Sequence, residues 1–264
     1  MKGNAMTTLK LGNLFLIIAM VLVALTGCSR ARDMVADTTS PTDATMDMDE
    51  TMPMMEATPV KLVWLIDYPE GGKDAYIAWV ASIVPTLQAP EEVVRIRSYD
   101  NQDSEMSPNR LVEFEFNSFL DAATYLNRPE IVAVLEELPN RSSDTTVHTF
   151  IQRSDYAKGE EGNWMVKGVY FIDYPLGGKQ AYLEWVDSIS ATLVEPAELK
   201  AIASYDNYYG ESPHRLVELE FATQEDADAY AQLEDVMAVE VEAQNRAGSW
   251  AEHIFELRLD YIKE

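Results

Sequence analysis

The stretch IDYPEGGKDAYIAWV at residues 66 to 80 returns as IDYPLGGKQAYLEWV at residues 172 to 186, displaced by 106 positions. The likeness extends outward in both directions. SYDN at 98 to 101 recurs at 204 to 207, and SPNRLVEFEF at 107 to 116 recurs as SPHRLVELEF at 212 to 221, now displaced by 105, so the intervening loop has lost one residue. Asn140 and Arg141 return as Asn245 and Arg246; His148, Phe150, Arg153, Asp155 and Tyr156 return as His253, Phe255, Arg258, Asp260 and Tyr261. Self-similarity at a fixed period marks a structural unit used more than once. Two copies are read here, over residues 60–157 and 166–264, with 158–165 as the linker.

One copy gives the order of elements. KLVWLID at 61 to 67 is rich in strand-forming residues and stops at Tyr68-Pro69. Gly71 and Gly72 turn the chain into a helix whose Tyr76, Trp79, Val80, Ile83 and Leu87 recur at helical spacing, matched by Tyr182, Trp185, Val186, Ile189 and Leu193. The two glycines at a helix start also leave open a cradle for an anion. A second strand is expected over 92 to 99 and a polar loop through Pro108. RLVEFEF at 110 to 116 alternates, so Val112, Phe114 and Phe116 share one face while Leu111, Glu113 and Glu115 share the other. Residues 118 to 138 read as one helix bent at Pro129, and 145 to 153 as a fourth strand.

Strand, helix, strand, strand, helix, strand is the ferredoxin-like βαββαβ order, so the expected class is α+β with two tandem ferredoxin-like domains. Helices cover one face of such an antiparallel sheet, and the bare face needs a partner. The second copy is the nearest partner. In element order and length the chain resembles the dimeric α+β barrel superfamily. That resemblance implies two sheets packed face to face as a barrel inside one chain, an intrachain pseudo-dimer. It also implies a small-ligand site in the barrel or between sheet and helices, and activities such as cofactor-free monooxygenation, isomerisation or haem handling. Fold alone does not choose among them.

Among the residues, His148 and His253 occupy matched strand positions and are candidates for a base or a haem ligand. Each lacks the neighbours of a metal motif, and a histidine beside phenylalanine on a strand also suits a packed core. Glu113, Glu115, Glu218 and Glu220 lie on the non-aromatic faces of matched strands. Arg95 and Arg97 accompany them in the first copy only, where the second has Ala201 and Ala203. If those faces line a barrel, the charges pair inside it and form a polar, asymmetric ligand site. If they face solvent, this is ordinary alternation. No P-loop, nucleophile elbow, dinucleotide fingerprint or Cys/His metal spacing is present, so the residues leave open whether the protein is an enzyme. No cofactor is predicted, with haem the one the resemblance leaves open.

The start of the chain speaks to location. Lys2 and Lys10 precede an uncharged apolar run from Leu14 to Leu25 and a small-residue region, the layout of an export signal. Leu25, Thr26, Gly27 and Cys28 resemble the lipobox of bacterial lipoproteins. This implies removal of residues 1–27, a lipid on Cys28, and a protein held on the periplasmic or cell-surface face of a membrane. Cys28 is the one cysteine, so a disulfide within the chain is excluded. Residues 28–59 are rich in Met, Asp and Thr without apolar periodicity and read as a disordered tether. Met46, Met48, Met52, Met54 and Met55 form a candidate thioether site for a soft metal, interleaved with carboxylates. The net charge of −25 falls to −27 once the two lysines leave with the signal, which excludes nucleic acid as a partner. The leading expectation is a tethered extracytoplasmic module that binds a small molecule or an envelope protein. The alternative is a cofactor-free monooxygenase-like or haem-handling enzyme.

Overall fold

The structure is a computed structural model that describes residues 58 to 264 apart from 70, 71, 160, 161 and 163. The signal, the tether, Cys28 and the methionine cluster lie outside the described residues. The first copy contains β1 (Val60–Asp67), α1 (Lys73–Gln88), β2 (Val93–Asn101), β3 (Arg110–Phe116), α2 (Phe119–Leu126), α3 (Pro129–Arg141) and β4 (Asp144–Ala157). The second contains β5 (Val166–Asp173), α4 (Lys179–Val194), β6 (Leu199–Asn207), β7 (Arg215–Phe221), α5 (Gln224–Ala231), α6 (Glu234–Arg246) and β8 (Ser249–Ile262).

All eight strands close one antiparallel barrel in the order β1-β3-β2-β8-β5-β7-β6-β4. Each copy supplies four adjacent strands, and the copies join twice, β2 to β8 and β4 to β6. Closure leaves no strand edge exposed to template aggregation. It also explains a difference from the sequence reading. β4 runs to Ala157 instead of stopping at 153, because residues 144 to 151 pair with β1 and residues 150 to 157 pair with β6. Register slips between Gln152 and Ser154, and opposite the β2 step Ser98/Tyr99 where β8 passes Arg258, let each long strand turn from its own copy to the other.

The helix expected over 118 to 138 is two helices. Ser118 caps α2 by accepting from the Asp121 amide, and Arg128 is extended ahead of Pro129, which opens α3 at the position where a missing amide costs nothing. The second copy breaks at the same place without proline, Leu233 taking the extended role before Glu234.

Strand alternation sends Leu62, Trp64, Ile66, Phe114 and Phe116 outward beneath the first copy's helices, where they join Tyr76, Leu87, Ile131, Leu135 and Leu138. The opposite set, Val63, Tyr99, Leu111, Phe150, Val169, Phe171, Tyr205, Leu216 and Phe255, packs inside the barrel. The repeated IDYP-GGK stretch is the joint between these layers. Asp67 accepts from Ser107 and from the Asn109 amide, and Tyr68 donates to Asp100 at 2.7 Å. The Gly72 amide donates to the Pro69 carbonyl at 2.8 Å, and a Cβ on Gly72 would sit 2.8 Å from Pro69 Cγ, so the close turn requires glycine. Lys73 bonds Asp100 at 3.1 Å.

Candidate functional site

The glutamates of the alternating strands face inward, so the charged-interior alternative holds. Glu113 (0% exposed) and Glu218 (1%) meet near the barrel centre, bracketed by Lys61 and Lys167. Lys61 donates to Glu218 at 2.6 Å, and Lys167 to the two oxygens of Glu113 at 2.8 and 2.9 Å. Each ammonium also rests on a ring, Lys61 on Tyr205 at 4.4 Å and Lys167 on Tyr99 at 4.6 Å. Arg97 reaches Glu220 at 2.6 Å and Glu115 at 2.7 Å. Arg95 does not join the glutamates as the sequence suggested; it forks onto Asp260 at 2.8 and 2.7 Å.

Burial alone would raise both central carboxyls. For Glu113, Lys167, Lys61 and Arg97 outweigh burial and hold it well below the usual range. For Glu218, burial and the Glu113 charge prevail and raise it. Glu218 Oε1 meets no donor among the described residues. The sequence signal missed for this network was a lysine at the same strand position in both copies, 61 and 167. A buried charged network of this kind is weak evidence for stability, whereas removing one of its members leaves a buried charge uncompensated.

His148 and His253 also sit in the barrel, each about 5.8 Å from a phenylalanine ring, Phe150 or Phe255. Burial pushes His148 down to about 4 and lowers His253, so both imidazoles are neutral at pH 7. Asn101 Nδ2 lies 3.3 Å from His253 Nδ1. Neither histidine borders any of the three cavities described below. Among the described residues no group of His, Cys, Asp and Glu is arranged to hold a metal ion, and no helix is long and apolar enough to cross a membrane.

A large cavity lies between helices and sheet in the second copy. In the first copy the corresponding space, bordered by Trp64, Trp79 and Leu138, holds about 40 Å³. In the second it holds about 900 Å³ between α4, α6 and the strands. The matched positions account for the difference: Trp64 becomes Tyr170, Phe114 becomes Leu219, Leu135 becomes Glu240, Leu138 becomes Ala243, Val147 becomes Glu252 and Leu259 becomes Ser154. Every exchange shortens the side chain or makes it polar. The stripe Tyr182, Trp185, Val186 and Ile189 is retained and becomes an apolar wall, a size and lining typical of small-molecule sites.

Polar groups converge on this wall. Tyr170 donates to Glu252 Oε1 at 3.2 Å. Burial, the neighbouring Glu240 charge and a hydrogen bond between the two carboxyls push Glu252 up to about 7, against the opposing effect of the Tyr170 bond. Burial, reinforced by both glutamates, holds the Tyr170 hydroxyl well above its usual range, so it remains a donor. The Trp250 ring lies 5.0 Å from Tyr170, tilted by 52°, and its indole N–H has no acceptor among the described residues. Arg215 also borders the cavity. Its counterpart Arg110 donates to Ser98 at 2.8 Å and Asp100 at 2.9 Å. Arg215 has only a 3.5 Å contact with the Tyr174 hydroxyl among the described residues, and no carboxylate within ion-pair distance. The cleft thus combines a proton-sharing acid pair, a hydroxyl donor and an underused guanidinium beside an apolar wall. The sequence held the signal in the departures between copies, whereas the sequence reading followed what the copies share.

No protein-family model matches the chain, and no curated protein matches it. Solved structures do. A monooxygenase-type protein from Fusobacterium nucleatum is similar with TM-score 0.60 and 10% identity over 79% of this chain and 99% of that one. An anthrone oxidase-like protein has TM-score 0.62 and 12% identity over 78% and 94%. A mutant chlorite dismutase from Candidatus Nitrospira defluvii has TM-score 0.52 and 10% identity over 77% and 92%. At such identities the likeness concerns fold alone. The chain has a mixed α+β fold in which eight antiparallel strands close a barrel, and it shares its fold with these structures.

Proposed function

We propose that the second copy's cleft binds a ring-containing, largely apolar small molecule and carries out proton-transfer chemistry on it, in the manner of a cofactor-free monooxygenase. The observation that carries this reading is the opening of one cleft and not the other, with Glu240, Tyr170 and Arg215 bordering the open one and Glu252 directly behind them, bonded to Tyr170 and to Glu240. A carboxyl poised near neutrality is matched to removing a proton from an activated C–H or O–H at physiological pH. Arg215 would stabilise the resulting anion, and Trp185 and Tyr182 would hold the ring. The anion could then reduce dioxygen, an activated CH₂ becoming a carbonyl with one oxygen atom while the other leaves as water. The fold likeness to monooxygenase-type and anthrone oxidase-like proteins supports this over the simple binding module. Oxygen uptake with anthrone as trial substrate tests it: uptake abolished by Glu252→Gln and Arg215→Met supports the enzyme. Saturable binding without uptake would return the protein to a binding role.

The haem-handling alternative receives no support from His148 or His253, which face packed rings. We read each copy as a ferredoxin-like unit, supported by its element order, with the second helix split. We also keep the reading of a lipid-anchored, extracytoplasmic protein, supported by the sequence of residues 1 to 28. Its membrane partner would be reached through the lipid on Cys28, and Cys28→Ser should release the protein from the membrane fraction.

A further inference from the structure

A second cavity, of about 440 Å³, lies at the barrel mouth where β4 meets β6; it adjoins the cleft, with Asp155, Tyr156, Ile202 and Ala203 bordering both, but neither acid of the cleft's pair borders it. Its origin can be read from the internal repeat. In the first copy, the matching mouth is filled by Arg95 and Arg97. Arg95 forks onto Asp260, and Arg97 spans Glu220 and Glu115. In the second copy those arginines are Ala201 and Ala203, both of which border the cavity. The acids were kept. Asp155, the counterpart of Asp260, stands opposite Ala203 in the β4–β6 register, just as Asp260 stands opposite Arg97 in β2–β8. Asp155 has no ionic partner among the described residues.

Two further features point to a cation. Four carboxyls border this space, Glu115, Asp155, Glu218 and Glu220, against two basic side chains, Lys61 and Arg97. Glu218, 1% exposed, presents an Oε1 with no hydrogen-bond donor. Trp164 also borders the cavity, a face on which a delocalised cation stacks well.

We propose that the second copy's barrel mouth is a binding site for a small ligand bearing a guanidinium group, whose planar fork seats on Asp155 as Arg95 seats on Asp260. The site is preorganised by the rest of the repeat, and the fork geometry favours guanidinium over ammonium. The surrounding acidic protein raises the local concentration of such a cation.

The test is isothermal titration of the full chain with methylguanidinium chloride, against methylammonium chloride and sodium chloride at the same ionic strength. Saturable one-site binding of methylguanidinium, at least tenfold tighter than methylammonium, is expected. Asp155→Asn should weaken it about 10- to 100-fold, the range for a hydrogen-bonded charge. Ala201→Arg, which restores the counterpart of Arg95, should supply the group covalently, abolish binding and raise Tm. Equal affinity for the two cations, or unchanged binding in either variant, would overturn the assignment. Should Ala201→Arg fail to fold, Asp155→Asn alone decides.

Discussion

The double substitution Glu240→Leu with Ala243→Leu should stabilise the protein while removing ligand binding. In the first copy Leu135 and Leu138 occupy these positions, 2% and 0% exposed, and the space they border is nearly full. Placing leucine at 243 adds three carbons to a site that is already walled. At about 0.8 kcal/mol per buried methylene this contributes about 2.4 kcal/mol. A compact unfolded state lowers the figure by roughly 10–40%, leaving about 2 kcal/mol. Glu240→Leu adds to this by removing a carboxylate that raises its neighbour. For a folded region of this size, about 2 kcal/mol corresponds to a rise of roughly 4–8 °C in Tm. The assay is thermal unfolding alongside fluorescence titration with the neutral probe N-phenyl-1-naphthylamine. A variant that gains no stability and still binds the probe would refute the account of how the cleft opens.

Glu252 and His148 should impose opposite pH dependences. Glu252 is raised in the folded state, so its contribution is full below about 4.5 and is lost as pH rises toward about 7. Glu252→Gln should flatten stability across that window, as checked by urea unfolding at several pH values. His148 is depressed to about 4, so its contribution, about 3 kcal/mol, is present above 6.5 and lost as pH falls through 4. His148→Phe should remove that acid loss. Lys167→Met leaves Glu113 without its closest cation and should cost about 3–5 kcal/mol, with Lys167→Met plus Glu113→Leu recovering much of it. A loss below about 1 kcal/mol for the single variant, measured by urea unfolding, would contradict the buried-network assignment.

Periodicity made the repeat, the sheet-facing helix stripe Tyr76–Trp79–Val80–Ile83–Leu87 and the facing of Phe114 and Glu113 legible in the sequence. What it missed is set by contacts between copies. The far half of β4 carries Ser154, Asp155 and Tyr156, with no apolar alternation, and is a strand because β6 pairs with it. Arg95 groups with the glutamates in the sequence, yet it reaches Asp260 on β8, which only barrel closure brings near. The cleft was hidden for another reason. Glu240 and Glu252 read as ordinary helix and strand surface until the first copy shows that leucine and valine fill those places. In a duplicated chain, the shared residues describe the scaffold, and the departures locate the sites.

The five tryptophans provide the most direct test, since Trp185 and Trp250 border the open cleft, Trp64 and Trp79 the filled one, and Trp164 the barrel mouth. With 5-fluorotryptophan incorporated, fluorine NMR during titration with N-phenyl-1-naphthylamine should move the resonances of Trp185 and Trp250 together and saturably. Those of Trp64, Trp79 and Trp164 should remain in place. Movement of Trp64 and Trp79 to the same extent, or of none of the five, would contradict the claim that the second copy alone carries the site.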